Sequence, residues 1–206
     1  VAPYRVWRQT IMLKGESVGF VPTMGALHEG HLQLVDASLR ENDHTVVSIF
    51  VNPAQFAPHE DLSTYPRTIQ SDLERLGTRA TAAQREGRMV ALLPQVNDMY
   101  PFGITQHVPD QVGAFVEVQG LSHQMEGQTR PTFFRGVATV VTKLFNIVLP
   151  DRAYFGQKDI QQSIVIRRLV DDLLFTFPHG SKNVRVMPTA RDPNDGLALS
   201  SRNKYL

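Results

Sequence analysis

The stretch "HTVVSIFVN", His44 to Asn52, constrains the fold more than any other part of the chain. It is apolar almost without interruption at strand length, and a strand without alternation must be covered on both faces, as in a parallel sheet between two layers of helices. The neighbouring segments fit that arrangement. "SVGFVPT" is a β-branched and aromatic run ending at Pro22 and Thr23, and "EGHLQLVDASLREN" sets Leu32, Val35 and Leu39 at helical spacing, giving strand, tight turn, helix. After a loop marked by Pro53, Pro58 and Pro66, "TIQSDLERL" has a helical pattern and "MVALLP" reads as a third strand. "VATVVTKLFNIVL" reads as a buried helix with a stop at Pro150. "RAYF" and "DIQQSIVIRRLVDDLL" repeat strand, turn, helix, and "NVRVMP" supplies a last strand. Residues 77–88 carry no assignable pattern, and residues 100–135, rich in Pro and Gly, read as an excursion over the sheet. The alternation predicts an α/β protein with a doubly wound, Rossmann-like parallel sheet in one domain.

Composition narrows the function. A net charge of +1 gives no basic excess to mark nucleic acid or anionic lipid as a partner, so a small molecule is the expected one. The absence of cysteine removes disulfides, thiolate zinc sites and cysteine nucleophiles, and fits a cytoplasmic protein. No apolar run approaches the ~18 residues of a membrane span, and "VAPYRVWRQT" has no signal-peptide core. The chain opens on Val and stops at "SSRNKYL" with no element to close it, so trimming at both ends is expected.

Open α/β sheets bind ligands beyond the carboxyl ends of their strands, which directs attention to the loops after each one. The first holds "TMGALHEGH". Its histidines are three apart with Gly30 between them, whereas a zinc helix needs a spacing of four, so metal is disfavoured. Two readings remain: local hydrogen bonding by His28 and His31, or a phosphate site made by the unpaired N–H groups and positive dipole end of a helix starting near Glu29. Gly25 would supply the turn and let a flat group lie close to the backbone. In "FGQKD", Lys158 stands at the mouth of the next helix, suited to phosphate oxygens, while Asp159 and Gln162 match a capping box that would leave Lys158 an ordinary surface charge. "DPNDGLALSSRN" gathers Ser200, Ser201, Arg202 and Asn203 as donors, or as a cap for a following helix. Gln55 and Gln162 are neutral amides suited to the hydroxyls and carboxylate of a small polar substrate.

In order along the chain, "PTMGALHEGHLQLV", "VNPAQF", "EDLSTYPR", "MEGQTRP", "FRGVATVV", "YFGQKDIQQ" and "DGLALSSRNKYL" resemble the pantothenate synthetase family, the pantoate:β-alanine ligases. The resemblance runs through nearly the whole chain and implies a nucleotidyltransferase-type fold of the HIGH class. It implies condensation of pantoate with β-alanine through a pantoyl adenylate, using ATP and Mg2+ and releasing pyrophosphate and AMP. By the same carry-over Met24, Gly25, Ala26, Leu27, His28, Glu29, Gly30 and His31 line ATP, as do Gly156, Gln157, Lys158, Asp159, Leu199, Ser200, Ser201 and Arg202. Ala190 is the matching position after the last strand. His31 is the implied proton donor, acting with His28, Lys158 and Arg202, while Gln55 and Gln162 hold pantoate and Gln55 borders β-alanine. In "RPTFFRG" Thr132 and Phe133 stand where many members carry Gly-His, with Arg135 kept in place. The family also implies a homodimer, and a smaller C-terminal domain closing over the site that is absent from this chain. A nucleotide-binding domain without complete ligase turnover is the alternative expectation.

Overall fold

The structure is a computed structural model, described for residues 1–60 and 62–203. In chain order it comprises α1 (Ala2–Leu13), β1 (Val18–Thr23), α2 (Glu29–Glu41), β2 (His44–Ile49), α3 (Ile69–Ala82), β3 (Met89–Leu92) and the single-turn α4 (Val96–Met99). These are followed by α5 (Glu126–Thr129), α6 (Phe133–Val148), β4 (Arg152–Gly156), α7 (Ile160–Asp172) and β5 (Val184–Met187). The five strands form one parallel sheet in the order β3-β2-β1-β4-β5, so the chain reverses its winding direction between β1 and β4.

Both faces are covered, as the uninterrupted apolar strands require. Phe20, Val46, Ala153 and Phe155 face a core shared with α1, α6 and α7, while Val21, Val47 and Tyr154 face one shared with α2 and Leu76 of α3. Alternate positions along a strand thus feed different cores, and the central strands β1 and β2 have no solvent face to alternate toward. Gly19 is needed for this closeness: a Cβ there would lie 2.1 Å from Ser38 Oγ of α2.

Two segments without a sequence reading gain structure, and one expected boundary moves. Residues 2–13 form a helix, tied to the end of α6 by Tyr4, whose hydroxyl donates to Val148 O, and by Arg8, which donates to Leu149 O. Residues 77–82, which carry no assignable pattern in the sequence, continue α3 to Ala82, held by Ala80, which is buried on the same face as Leu76. The helix expected from Val137 starts four residues earlier, taking Phe133 to Arg135 out of the excursion.

Candidate active site

The site lies where the winding reverses. Strand β1 pairs with β2 along its whole length, from Val18 to Thr23, but with β4 only at Gly19 and Phe20. Beyond that point the two strands part, and Pro22, which has no N–H to give a ladder, sits in the parted segment. The result is a cleft of about 380 Å3 lined by Pro22, Thr23 and the following Met24 at the end of one strand and Tyr154, Phe155 and Gly156 on the other. This is the crevice at which open α/β sheets take their ligands.

His28 and His31 lie on its wall and are also helix caps. His28 is the N-cap of α2, its Nδ1 accepting from Gly30 N–H at 3.1 Å, while His31 Nδ1 accepts from His28 N–H at 3.4 Å. The rings lie against each other with centroids 4.1 Å apart, tilted by 39°. The local-bonding reading and the site reading therefore hold together. With each Nδ1 serving as acceptor, the proton of each neutral ring belongs on Nε2, leaving a donor to offer. Burial pushes the His31 imidazole down to about 3, helped by the charges of His28 and Lys158. Burial lowers His28 too, with Lys158 the next cause. The backbone is less open than expected: Ala26 and Leu27 donate to the Asp72 carboxylate, and His31 and Leu32 N–H donate to His28 O. The donors at this helix start are thus chiefly imidazole N–H groups.

Lys158 and Asp159 enter the cleft from a 3-10 turn, Gln157–Asp159, between β4 and α7. The expected capping box is not formed, because Asp159 makes no cap bond and its Oδ1 turns to Lys158 Nζ at 3.1 Å. After β5 the chain makes a narrow antiparallel turn, with Arg191 paired to Ala198 and Leu199 N–H donating to Ala190 O at 2.9 Å. That turn carries Leu199, Ser200, Ser201 and Arg202 back to the wall beside Ala190. Ser200 Oγ accepts from Arg202 N–H at 3.2 Å, as a cap would; the continuation from Lys204 lies outside the described residues.

Gln55 and Gln162 share the same cleft. Gln55 is 8% exposed and held from three sides: Asn52 Nδ2 donates to its Oε1 at 3.1 Å, Arg130 donates to its carbonyl at 3.2 Å, and α6 packs against its backbone. Gly136 of α6 makes that packing possible, since a Cβ there would lie 2.3 Å from Ala54 O. Asn52 is itself fixed by Tyr100, whose hydroxyl donates to its Oδ1 at 2.7 Å.

Of the residues expected at a ligand, Gly25, Ala26, Leu27, Glu29 and Gln157 do not line the cleft. Leu27 belongs to the α2 core and Glu29 faces outward to Arg79. Arg135 is also turned away, stacking on Phe115 and bonding Gln111. The wall includes residues that sequence reasoning missed. Tyr65 meets Ser201 at 3.4 Å, and Phe133, beneath the Arg130 guanidinium, begins an apolar stripe continued by Val137, Val140, Val141 and Leu144. The stripe was hidden because the broad apolar face of α6 serves the core and the cleft together, so its periodicity did not separate the part that meets the cleft. "VNPAQF" did contain Asn52, but nothing local marks it as the support of Gln55.

A parallel sheet parted at its reversal point, with imidazoles, a lysine and a serine-arginine loop around the opening, defines a doubly wound α/β protein with a ligand cleft at its switch point. The fold agrees: a tyrosyl-tRNA synthetase from Archaeoglobus fulgidus superposes with a TM-score of 0.52 over 95% of this chain at 13% identity, covering 62% of that chain. The family model for pantoate-beta-alanine ligase matches residues 1–206, and the chain belongs to that family. It is 55% identical over 191 residues to a pantoate--beta-alanine ligase of Saccharomyces cerevisiae, covering 93% of this chain and 58% of that protein. A pantothenate synthetase structure from Thermus thermophilus matches at a TM-score of 0.80 and 46% identity, covering all of this chain and 65% of that one. A pantoate-beta-alanine ligase from Francisella tularensis, described as complexed with beta-gamma ATP and beta-alanine, matches at a TM-score of 0.81 and 37% identity, covering 98% of this chain and 70% of that chain. The chain spans about three fifths of the length of the curated relatives it matches.

Proposed function

We propose that residues 1–206 form an ATP- and pantoate-binding domain and that the cleft joins pantoate to β-alanine through a pantoyl adenylate. The observation that carries this is convergence: His28 and His31, Lys158, and Ser200 to Arg202 arrive from loops after three different strands, and Gln55 and Gln162 share their cleft. The first set offers cationic and N–H donors to a triphosphate. The second, with the apolar stripe of α6, offers amides to the hydroxyls and carboxylate of a branched aliphatic acid and an apolar wall to its methyl groups.

In the first step a pantoate carboxylate oxygen bonds to the α-phosphorus as the bond to pyrophosphate breaks. The carboxylate is ionised at neutral pH, so the step needs alignment and charge neutralisation rather than a base. Lys158 and Arg202 meet the growing negative charge, and His28 and His31 donate through Nε2–H. Because His31 is neutral in the free site, it serves as a hydrogen-bond donor, and donates a proton outright only after the bound triphosphate has raised its pKa. Among the described residues no group of three His, Asp or Glu converges as a metal site, so Mg2+ is read as part of the nucleotide substrate, carried by phosphate oxygens. In the second step the β-alanine nitrogen bonds to the acyl carbon and AMP departs. The ammonium, of pKa near 10, loses one proton to solvent before attack and the nitrogen a second as the amide forms, while AMP leaves with the electron pair of the broken acyl–oxygen bond. Glu126 and Asp159 are the carboxylates on the cleft wall, supplying negative charge beside an incoming ammonium.

Membership of the family supports assembly as a homodimer. ATP as substrate supports a cytoplasmic setting. Among the described residues no helix is long and apolar enough to cross a membrane. The test measures pyrophosphate release from MgATP with pantoate, then AMP release with and without β-alanine. Ligation predicts both, and Lys158→Ala lowers the first by about 10²–10³-fold. Pyrophosphate without β-alanine-dependent AMP marks a nucleotide-binding domain that does not complete turnover. Pyrophosphate release independent of pantoate overturns the substrate assignment.

A further inference from the structure

We propose that Asp72, on α3, is a positioning residue for the nucleotide half of the site, holding the turn that delivers His28 and His31; this rests on the nucleotide reading above. Asp72 is 1% exposed, yet it is absent from the cleft wall, as is the rest of α3. Its Oδ1 accepts from Leu27 N–H at 2.8 Å, and its Oδ2 from Ala26 N–H at 3.0 Å and Thr68 Oγ1–H at 3.2 Å. The two amides belong to a turn that is conformationally unfavourable without support: Gly25 has φ +86° and Ala26, which carries a side chain, φ +49°. The next residue is His28, the cap of α2.

The rest of the α3 face completes the hold. One turn on, Arg75 donates to Leu27 O at 3.0 Å, and one further turn on, Arg79 pairs with Glu29 and with Asp36 of α2. Positions 72, 75 and 79 fall on one side of the helix, so a single rigid face grips the turn and α2 together. A buried carboxylate bonded to two consecutive amides accounts for the fold of the turn. What makes it a positioning device is its place: the chain it fixes ends at the two imidazoles, whose Nδ1 atoms are locked by the same cap, so a shift of the turn moves both Nε2 donors at once.

Asp72→Asn keeps the volume but leaves one acceptor oxygen where two are used, so one amide faces an NH2 group. The expected result in the full chain is at least about tenfold faster hydrogen exchange at Ala26 and Leu27, at least about tenfold weaker MgATP binding by calorimetry, and unchanged pantoate affinity. Loss of both affinities with a general fall in amide protection would indicate a merely structural role and overturn the proposal. So would unchanged exchange at the two amides, or faster exchange with ATP affinity within about twofold of the parent. If the parent chain binds no MgATP, the nucleotide reading fails and the positioning role with it, while the exchange data still report the clamp. Thr68→Val removes only the third donor and gives the same pattern at smaller size should Asp72→Asn not fold; equal loss of both affinities in it counts against the proposal.

Discussion

A neutral imidazole in the free site makes a statement about acid stability at the scale of one residue. His31 is held near 3 against an ordinary 6.5, chiefly by burial. Between those values the unfolded chain binds a proton at this position that the native chain does not, so native stability falls as pH is lowered through that window and is unaffected by this group above it. His28, lowered for the same first reason, acts in the same direction. His31→Asn keeps an oxygen able to accept from His28 N–H but cannot titrate. Denaturant unfolding measured from pH 7 to 4 should therefore show a shallower loss of stability in the variant than in the parent. Equal slopes would mean that His31 is not held neutral. The two histidines were legible as a site only in combination. Three-residue spacing argued against zinc, but which nitrogen bonds which amide depends on the turn that Asp72 holds, and that contact spans 45 residues of sequence.

Elements deliver the substrate amides, and here the decisive contact is between α6 and the 3-10 turn Pro53–Gln55. Gly136→Ala would place a methyl group 2.3 Å from Ala54 O and 2.7 Å from Gln55 Cα, against backbone that cannot rotate away. The expected cost is about 1–3 kcal/mol of stability, with weaker pantoate binding and little change in ATP binding. Gly77→Ala is the matched control. That glycine lies within α3 facing open space, so alanine should stabilise the fold by up to about 1 kcal/mol and leave both affinities unchanged. Thermal unfolding and calorimetry on the pair check both signs. A Gly136→Ala protein as stable as its parent would show that α6 and the Gln55 turn are not in tight register. Sequence reasoning found α6 through its apolar run but began it at Val137, because the mixed "RPTFFRG" carries no helix signal of its own; its first turn forms through packing on the Gln55 turn.

For the molecule as a whole, the cleft exists because two neighbouring strands stop pairing, so a ligand filling it bridges the halves of the sheet. MgATP should stabilise the native state by about 2.7 kcal/mol at a hundred times its Kd, read from the rise in unfolding midpoint with nucleotide. No rise at saturating MgATP would remove nucleotide from the cleft. The sequence by itself determined the class of fold and the loops that matter, because both rest on local rules. Strand-length runs apolar on both faces require a two-sided cover, helices follow them at their own period, and ligands gather after the strands. It also contained Asn52, Asp72 and Gly136 without marking them. Their roles are relations between distant segments: an amide supporting Gln55, a carboxylate holding the turn before His28, and a missing side chain that lets α6 approach. Only the tertiary structure could decide these, since a hydrogen-bond partner or a forbidden Cβ is fixed by what packs opposite, and the strand order β3-β2-β1-β4-β5 sets that.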